Sequence, residues 1–296
     1  MAKRIIVIGD VMLDKYDYCG NADNPESSAP CWTVENTEYK PGGAGNVAAN
    51  LASLGANFEL ISVVGNDFNA DVLKDQLFRF KVPCSFIMDE DRQTIVKERI
   101  MSSIDGRYHC RINRERKKYI EENHVREILD RVGQGELVLV SDYRKGVISS
   151  GLMTALKNKN IPLVVDPKPE HLSFYDNVFL VKPNKREVTA MTQINDPALA
   201  AESLMNRLHA NVLLTQGSDG ISYLGLNGSR YRFPAGKRKV VDPTGAGDTV
   251  VATFCALYAE GRNLEDCVKY SNIAGGIAVQ YPGCHQITKV ELDLKN

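Results

Sequence analysis

The chain has 296 residues, 43% apolar and 25% charged, with a formal net charge of −1 at pH 7. Those proportions belong to a globular protein with a sizeable core, and the near-neutral balance gives no electrostatic reason to expect a nucleic acid or an acidic membrane as partner. The apolar run after Lys3 and Arg4 is only four residues long and no stretch approaches a membrane span, so a cytoplasmic protein is expected. The seven cysteines (19, 31, 84, 110, 255, 267 and 284) are dispersed without a C-x-x-C pair and read as reduced thiols.

In chain order, RIIVIG (4–9) is continuously apolar, as a strand covered on both faces must be. Residues 13–40 alternate polar and apolar positions instead. A glycine-rich turn then opens helix 44–54, followed by strand 58–65 and helix 69–80. Residues 84–112 alternate again, and with 13–40 they read as a small antiparallel sheet projecting from the main body as a lid. Beyond it come helix 119–132, strand 136–142, helix 149–158, strands 161–166 and 177–184, helices 185–192 and 197–209, strand 211–217, and the helices 247–260 and 264–281. Strand and helix alternate without repeat or linker. The expected fold is α/β, one domain over 1–296 with a doubly wound, mainly parallel sheet flanked by helices.

Within the first turn, Gly43-Ala44-Gly45-Asn46-Val47-Ala48 fits the dinucleotide pattern G-x-G-x-x-A, with Asp67 at a suitable distance. That pattern must come directly off the first buried strand, whereas here Ile5–Ile8 is followed by GDVMLDKY and the glycines are preceded by a polar stretch ending in Pro41. That places a nicotinamide site, and with it a dehydrogenase, third behind the other readings. The turn either admits a ligand close to the backbone, with Asn46 donating and accepting toward hydroxyls, or simply packs a helix on the sheet.

The stretch VVDPTGAGDTVVATFCALYAEG (240–261) is more informative. Gly245, Ala246 and Gly247 form a turn at the start of an apolar helix, where converging N–H groups suit an anion. Asp248 in the first helical turn is then placed to accept a proton from a hydroxyl attacking phosphorus, although an acid there also complements the helix dipole. No G-x-x-x-x-G-K-[ST] sequence occurs, so no lysine follows the glycines and a phosphate donor would be held chiefly by backbone and metal.

GGAGNVAANLASLGA with VGND (42–67), DPTGAGDT (242–249), KPNKRE (182–187) and LLTQGSDGISYL (213–224) together resemble the ribokinase-like (PfkB) sugar kinases over essentially the whole chain. Within that family GDVMLDKY, NPESSAP, TIVKERI, VLVSDYRKGVI, VVDPKPE and VKPNKRE are similar to the heptose 7-phosphate 1-kinases, which often carry a nucleotidyltransferase domain after the kinase. With the chain ending at Asn296, a stand-alone kinase without that domain is expected. Arg144 departs from those kinases, which have glycine there.

The resemblance implies ATP-dependent phosphorylation of the anomeric hydroxyl of D-glycero-D-manno-heptose 7-phosphate, on a route to ADP-heptose. Asp248 would be the general base and the N–H groups of Gly245, Ala246 and Gly247 would face the transferring phosphoryl group. Asp14, Gly42, Gly43 and Asn46 match sugar positions, and Lys97, Arg99, Arg111 and Lys145 supply cations for a substrate phosphate, though exposed basic residues also protect edge strands. Thr215, Gly217, Gly220, Asn272 and Gly275 are implied nucleotide contacts, with close helix packing the alternative for Gly275. Asn184 and Glu187 would organise Mg²⁺ through water, and their spacing fits a helix capping box equally well. Asp242, Thr244 and the backbone at Gly283 match a monovalent cation site suited to K⁺. The exposed lid sheet is suited to pairing two copies into a homodimer. Other readings are a kinase for ribose, fructose or ketodeoxygluconate, and a non-catalytic sugar- or nucleotide-sensing module.

Overall fold

The computed structural model describes residues 3–22 and 24–293. At its centre β1 (Ile5–Gly9) lies parallel to both of its neighbours, β4 (Phe58–Gly65) and β8 (Leu137–Ser141). The sheet continues in parallel from β8 through β9 (Leu163–Asp166) and β10 (Leu180–Val181) to β11 (Asn211–Thr215). An antiparallel pair, β12 (Ile221–Leu224) and β13 (Arg230–Phe233), ends that side, giving nine strands among the described residues.

Alternation along β1 explains why its run is wholly apolar. Ile5 and Val7 enter a core shared with α1 (Ala44–Ser53), α2 (Phe68–Arg79), α7 (Ala246–Ala259) and α8 (Leu264–Ala278). Ile6 and Ile8 enter a second core on the opposite face with α3 (Glu122–Asp130), α4 (Ser150–Lys157), α5 (Lys185–Thr192) and α6 (Pro197–Leu208). All four are fully buried, and each such side chain contributes roughly 1.5–3 kcal/mol. This is the expected doubly wound sheet.

Two features of the lid differ from expectation. The second sheet runs β3 (Cys31–Gly43), β2 (Val11–Ala22), β6 (Val96–Ser102), β7 (Tyr108–Arg114), and its middle pair β2–β6 is parallel rather than antiparallel. Residues Cys84–Asp89 form β5, which pairs with β4 at the edge of the main sheet and does not join the lid. An edge strand is half exposed and alternates just as a lid strand does, so periodicity does not separate the two. Asp67, the acid that suited a dinucleotide, instead caps α2: its oxygens accept the N–H groups of Ala70 (3.0 Å) and Thr94 (2.8 Å). All seven cysteines are unpaired.

Candidate active site

Open parallel sheets hold their ligands beyond the carboxyl ends of the strands, and here those ends deliver a cluster of polar side chains. Asp10 follows β1, Tyr143 follows β8, Asp166 ends β9 and Lys182 follows β10. Asp10 is 1% exposed, and its carboxylate accepts the N–H groups of Tyr143, Lys145 and Val147, each at 2.9 Å. Burial pushes its carboxyl up and the three N–H groups oppose that shift. The loop carrying Tyr143 is thus held by a side chain from the central strand. In that loop Arg144 has φ 57°, a left-handed conformation that favours glycine, and its guanidinium pairs with Glu170 at the surface.

Facing this loop is the N-terminus of α7. Gly245 caps it with φ 78°, and a Cβ there would lie 2.9 Å from both Asn46 Nδ2 and Cys284 Sγ. Only glycine meets both demands. The Ala246 N–H turns back to the Pro243 carbonyl at 3.3 Å, a long bond that leaves it the weakest candidate donor of the turn.

Asp248, 7% exposed, accepts hydrogen bonds from Asn46 Nδ2 (2.7 Å) and the Tyr143 hydroxyl (2.8 Å). Burial, and next the charge of Asp166, push its carboxyl up to about 6, against the two hydrogen bonds and Lys182. It is therefore ionised at neutral pH yet basic enough to take a proton, the poise a general base needs. Because the Tyr143 bond lowers this value, Tyr143→Phe is expected to move the acid limb of the rate profile to higher pH, with less effect on the rate above pH 8; an unmoved limb would contradict the contact.

Beside the same turn, Lys182 Nζ lies 3.0 Å from Asp166 Oδ1 and 3.3 Å from where a Gly247 Cβ would stand. Lys168 Nζ contacts Glu187 Oε1 at 2.7 Å and stands 5.3 Å from the centre of the Tyr143 ring. Asn184 and Glu187 form the reciprocal capping box of α5, with both bonds at 2.9 Å. That capping alternative is the arrangement seen, with Lys168 added to the same carboxylate.

On the lid side, Asp14 Oδ1 accepts from Arg99 at 2.7 Å, and a Cβ at Gly42 would lie 2.5 Å from Asp14 Oδ2. Gly43, with φ 59°, brings the chain against the Asp10 carbonyl, 2.4 Å from where its Cβ would be. Lys97 Nζ stands 5.4 Å from the Tyr143 ring centre, and burial lowers its pKa. Arg111 is exposed and in register with Arg99, while Lys145 is bound to Glu115 at 2.8 Å. Asn46, expected to face a sugar, is fully buried with its amide on Asp248, so the structure makes it a support of the acid.

The remaining expected residues are dispersed over β11, the turn that follows it, α8 and the loops before α7 and after α8. The Thr215 N–H and hydroxyl turn to the Pro183 carbonyl at 3.0 and 3.4 Å, and Gly217 has φ 59°. Gly220, with φ 87°, passes so close to the Phe233 carbonyl that a Cβ would stand 2.0 Å from it. Asn272 donates to the Pro234 carbonyl at 2.9 Å. Gly275 packs closely on α7, where a Cβ would meet Val250 Cγ2 at 2.7 Å, as the helix-packing alternative expects. Asp242 does bring Thr244 and Gly283 together, accepting the N–H of each at 2.9 Å. Among the described residues no group of three His, Cys, Asp or Glu side chains is arranged to hold a metal ion.

Tyr143, Asp166, Lys168 and Lys182 were not identified as site residues from sequence. Their signal lies in SDYRKG, VVDPKP and VKPN, where a polar or charged residue directly ends or follows a buried parallel strand.

A doubly wound sheet with a second, smaller sheet and a buried acid one turn into a glycine-capped helix give the ribokinase-like fold. Residues 2–290 match the pfkB family carbohydrate kinases, and the chain belongs to that family. It is 37% identical over 297 residues to the bifunctional protein HldE of Ectopseudomonas mendocina, covering 97% of this chain and 62% of that one. For the protein of the same name from Coxiella burnetii the identity is 32%, covering 98% and 62%. The chain thus spans less than two thirds of these relatives' length. Among solved structures, phosphofructokinase-2 from Escherichia coli in complex with fructose-6-phosphate superposes with a TM-score of 0.80 at 20% identity, covering 100% of this chain and 98% of that one. Ribokinase from Arabidopsis thaliana with ribose and ATP gives 0.78 at 21%, with coverage of 100% and 98%. At those identities the likeness is one of fold. No helix among the described residues is long and apolar enough to cross a membrane.

Proposed function

We propose that this carbohydrate kinase transfers the γ-phosphoryl group of ATP to the anomeric hydroxyl of D-glycero-D-manno-heptose 7-phosphate, giving the 1,7-bisphosphate. The observation that carries the reading is the chain of contacts from Lys97 over the Tyr143 ring, at 5.4 Å, to Asp248, 2.8 Å from the Tyr143 hydroxyl. It sets a half-buried cation near the base, and Arg99 beside it is fixed by Asp14. A sugar spanning that gap would offer its hydroxyl at one end and its phosphate at the other. The similarity to proteins named HldE and the heptose-kinase motifs support the same substrate.

In this reading Asp248 takes the proton of the anomeric hydroxyl as its oxygen attacks phosphorus, while the N–H groups of Gly245 and Gly247 face the charge that develops. Mg²⁺ would be held through water by Glu187, an oxygen donor of the kind that ion prefers, and would neutralise nucleotide phosphate charge. K⁺ would sit by Asp242, Thr244 and Gly283. The exposed lid residues Val34, Tyr108 and Ile112 would supply the apolar part of a contact between two copies.

Lys97→Met is expected to raise the apparent KM for heptose 7-phosphate by about 10-fold or more, because a charge-assisted contact is lost, with a smaller change in kcat. Steady-state kinetics with the sugar phosphate varied at saturating ATP checks it. An unchanged KM in Lys97→Met and in Arg111→Ala would remove the basis for a phosphorylated substrate.

A further inference from the structure

Two carboxylates hold the loop that carries Tyr143. Asp10 takes the N–H groups of Tyr143, Lys145 and Val147, and Asp142 takes that of Arg144 on its Oδ1 at 2.6 Å. The other oxygen of Asp142 is bound by a separate part of the chain, the short helical segment Pro169–Phe174 and the residue after it. There the Tyr175 hydroxyl donates to Oδ2 at 2.6 Å, and His171 Nδ1 lies 2.7 Å from the same atom. With the proton on Nδ1 toward the carboxylate, His171 Nε2 accepts from the Tyr119 hydroxyl at 3.1 Å, and the ring stacks on Phe174. The Tyr175 hydroxyl also accepts the Lys168 N–H at 3.0 Å. Asp142, His171 and Tyr175 are each buried, none more than 3% exposed. Apolar packing would join the two segments about as strongly as this polar cluster does. What hydrogen bonds to a buried carboxylate add is direction, and the residue next to Asp142 is Tyr143, whose hydroxyl lies 2.8 Å from Asp248 Oδ1.

We propose that His171 and Tyr175 are positioning residues for the catalytic base: through Asp142 they fix the loop so that the Tyr143 hydroxyl stays on Asp248. Because Tyr175 also holds the Lys168 backbone, the same cluster keeps the Lys168 ammonium over the Tyr143 ring, at 5.3 Å, and on Glu187. One buried network thereby sets the base and the Lys168–Glu187 pair in a single geometry. The assignment rests on Asp248 being the general base and is independent of which sugar is used.

The pH dependence of kcat/KM, measured with the sugar that turns over fastest, tests it. Tyr175→Phe carries the measurement, because burial pushes the Tyr175 phenol up and the substitution removes no group that titrates between about pH 5 and 9. Asp166, Lys182 and Cys284, which also face Asp248, stay in place. Tyr175→Phe is expected to lower kcat about 3- to 10-fold and to move the acid limb up by about half a pH unit or more, in the direction expected of Tyr143→Phe. The double variant is expected to move the limb no further than Tyr143→Phe alone. His171→Leu should lower kcat to a similar extent, and His171→Asn, whose amide can donate where Nδ1 does, should restore most of it. Thermal unfolding establishes that each variant is folded at the assay temperature. Folded variants that lose stability but keep kcat and the acid limb would show a purely structural cluster and overturn the proposal. So would limb shifts from Tyr175→Phe and Tyr143→Phe that simply add. If Tyr175→Phe does not fold, an equal loss of kcat in His171→Leu and His171→Asn overturns it instead. A wild type whose kcat/KM has no limb near pH 6 contradicts the base itself, and the proposal with it.

Discussion

Asp248→Asn is expected to lower kcat by about 10²- to 10⁴-fold while the sugar KM changes by no more than a few-fold, because the amide keeps the shape of the site and cannot take the proton. In the wild type, kcat/KM should rise with pH through about 6, the value to which burial and Asp166 push this carboxyl, and level off above it. The same substitution should stabilise the fold. A carboxyl near 6 in the folded chain and at about 3.9 in the unfolded chain keeps its proton on folding where the unfolded chain has lost it. Wild-type stability therefore falls as pH rises from about 4 to about 6 and stays lower above that range. The Asn variant lacks this loss, so its advantage should be small at pH 4 and approach about 3 kcal/mol at most at pH 7.5. Denaturant unfolding at the two pH values reads the difference. A variant no more stable than the wild type at pH 7.5 would mean that the buried carboxylate is better solvated than its surroundings indicate.

The second large effect is expected at Asp10, which holds the Tyr143 loop and is given no part in the proton transfer. Asp10→Ala would leave the N–H groups of Tyr143, Lys145 and Val147 without their acceptor at the end of the central strand. Each buried donor so abandoned costs about 1–3 kcal/mol, and local relaxation brings the sum to roughly 3–5 kcal/mol. The Tyr143 loop would also lose its anchor, so the variant should turn over more slowly even where it is folded. Thermal unfolding and kcat at a permissive temperature, measured together, check both parts. A stable variant with normal kcat would show that the loop holds itself.

Much of this architecture is legible in the sequence because a strand buried on both faces must be apolar throughout, as Ile5–Ile8 and Val138–Val140 are. The direction of β2–β6 and the sheet to which Cys84–Asp89 belongs are not legible, since pairing partners leave no mark on a half-exposed strand's own pattern. In the site, the glycine turn and Asp248 stand out because they are local, contained in one loop and one helical turn. Tyr143, Asp166 and Lys182 come from the ends of three different strands and meet only through the strand order β10-β9-β8. Asn46 shows the same limit from the other side. Its amide chemistry reads equally well toward a sugar hydroxyl or a carboxylate, and 202 positions of separation conceal that the carboxylate is Asp248.

The most direct test of the central claim is ADP release with ATP and Mg²⁺ from wild type and Asp248→Asn, offered heptose 7-phosphate, fructose 6-phosphate, ribose, fructose and ketodeoxygluconate in parallel. The expected result is turnover with heptose 7-phosphate that the substitution abolishes. Turnover confined to an unphosphorylated sugar, or turnover that survives in Asp248→Asn, would contradict it.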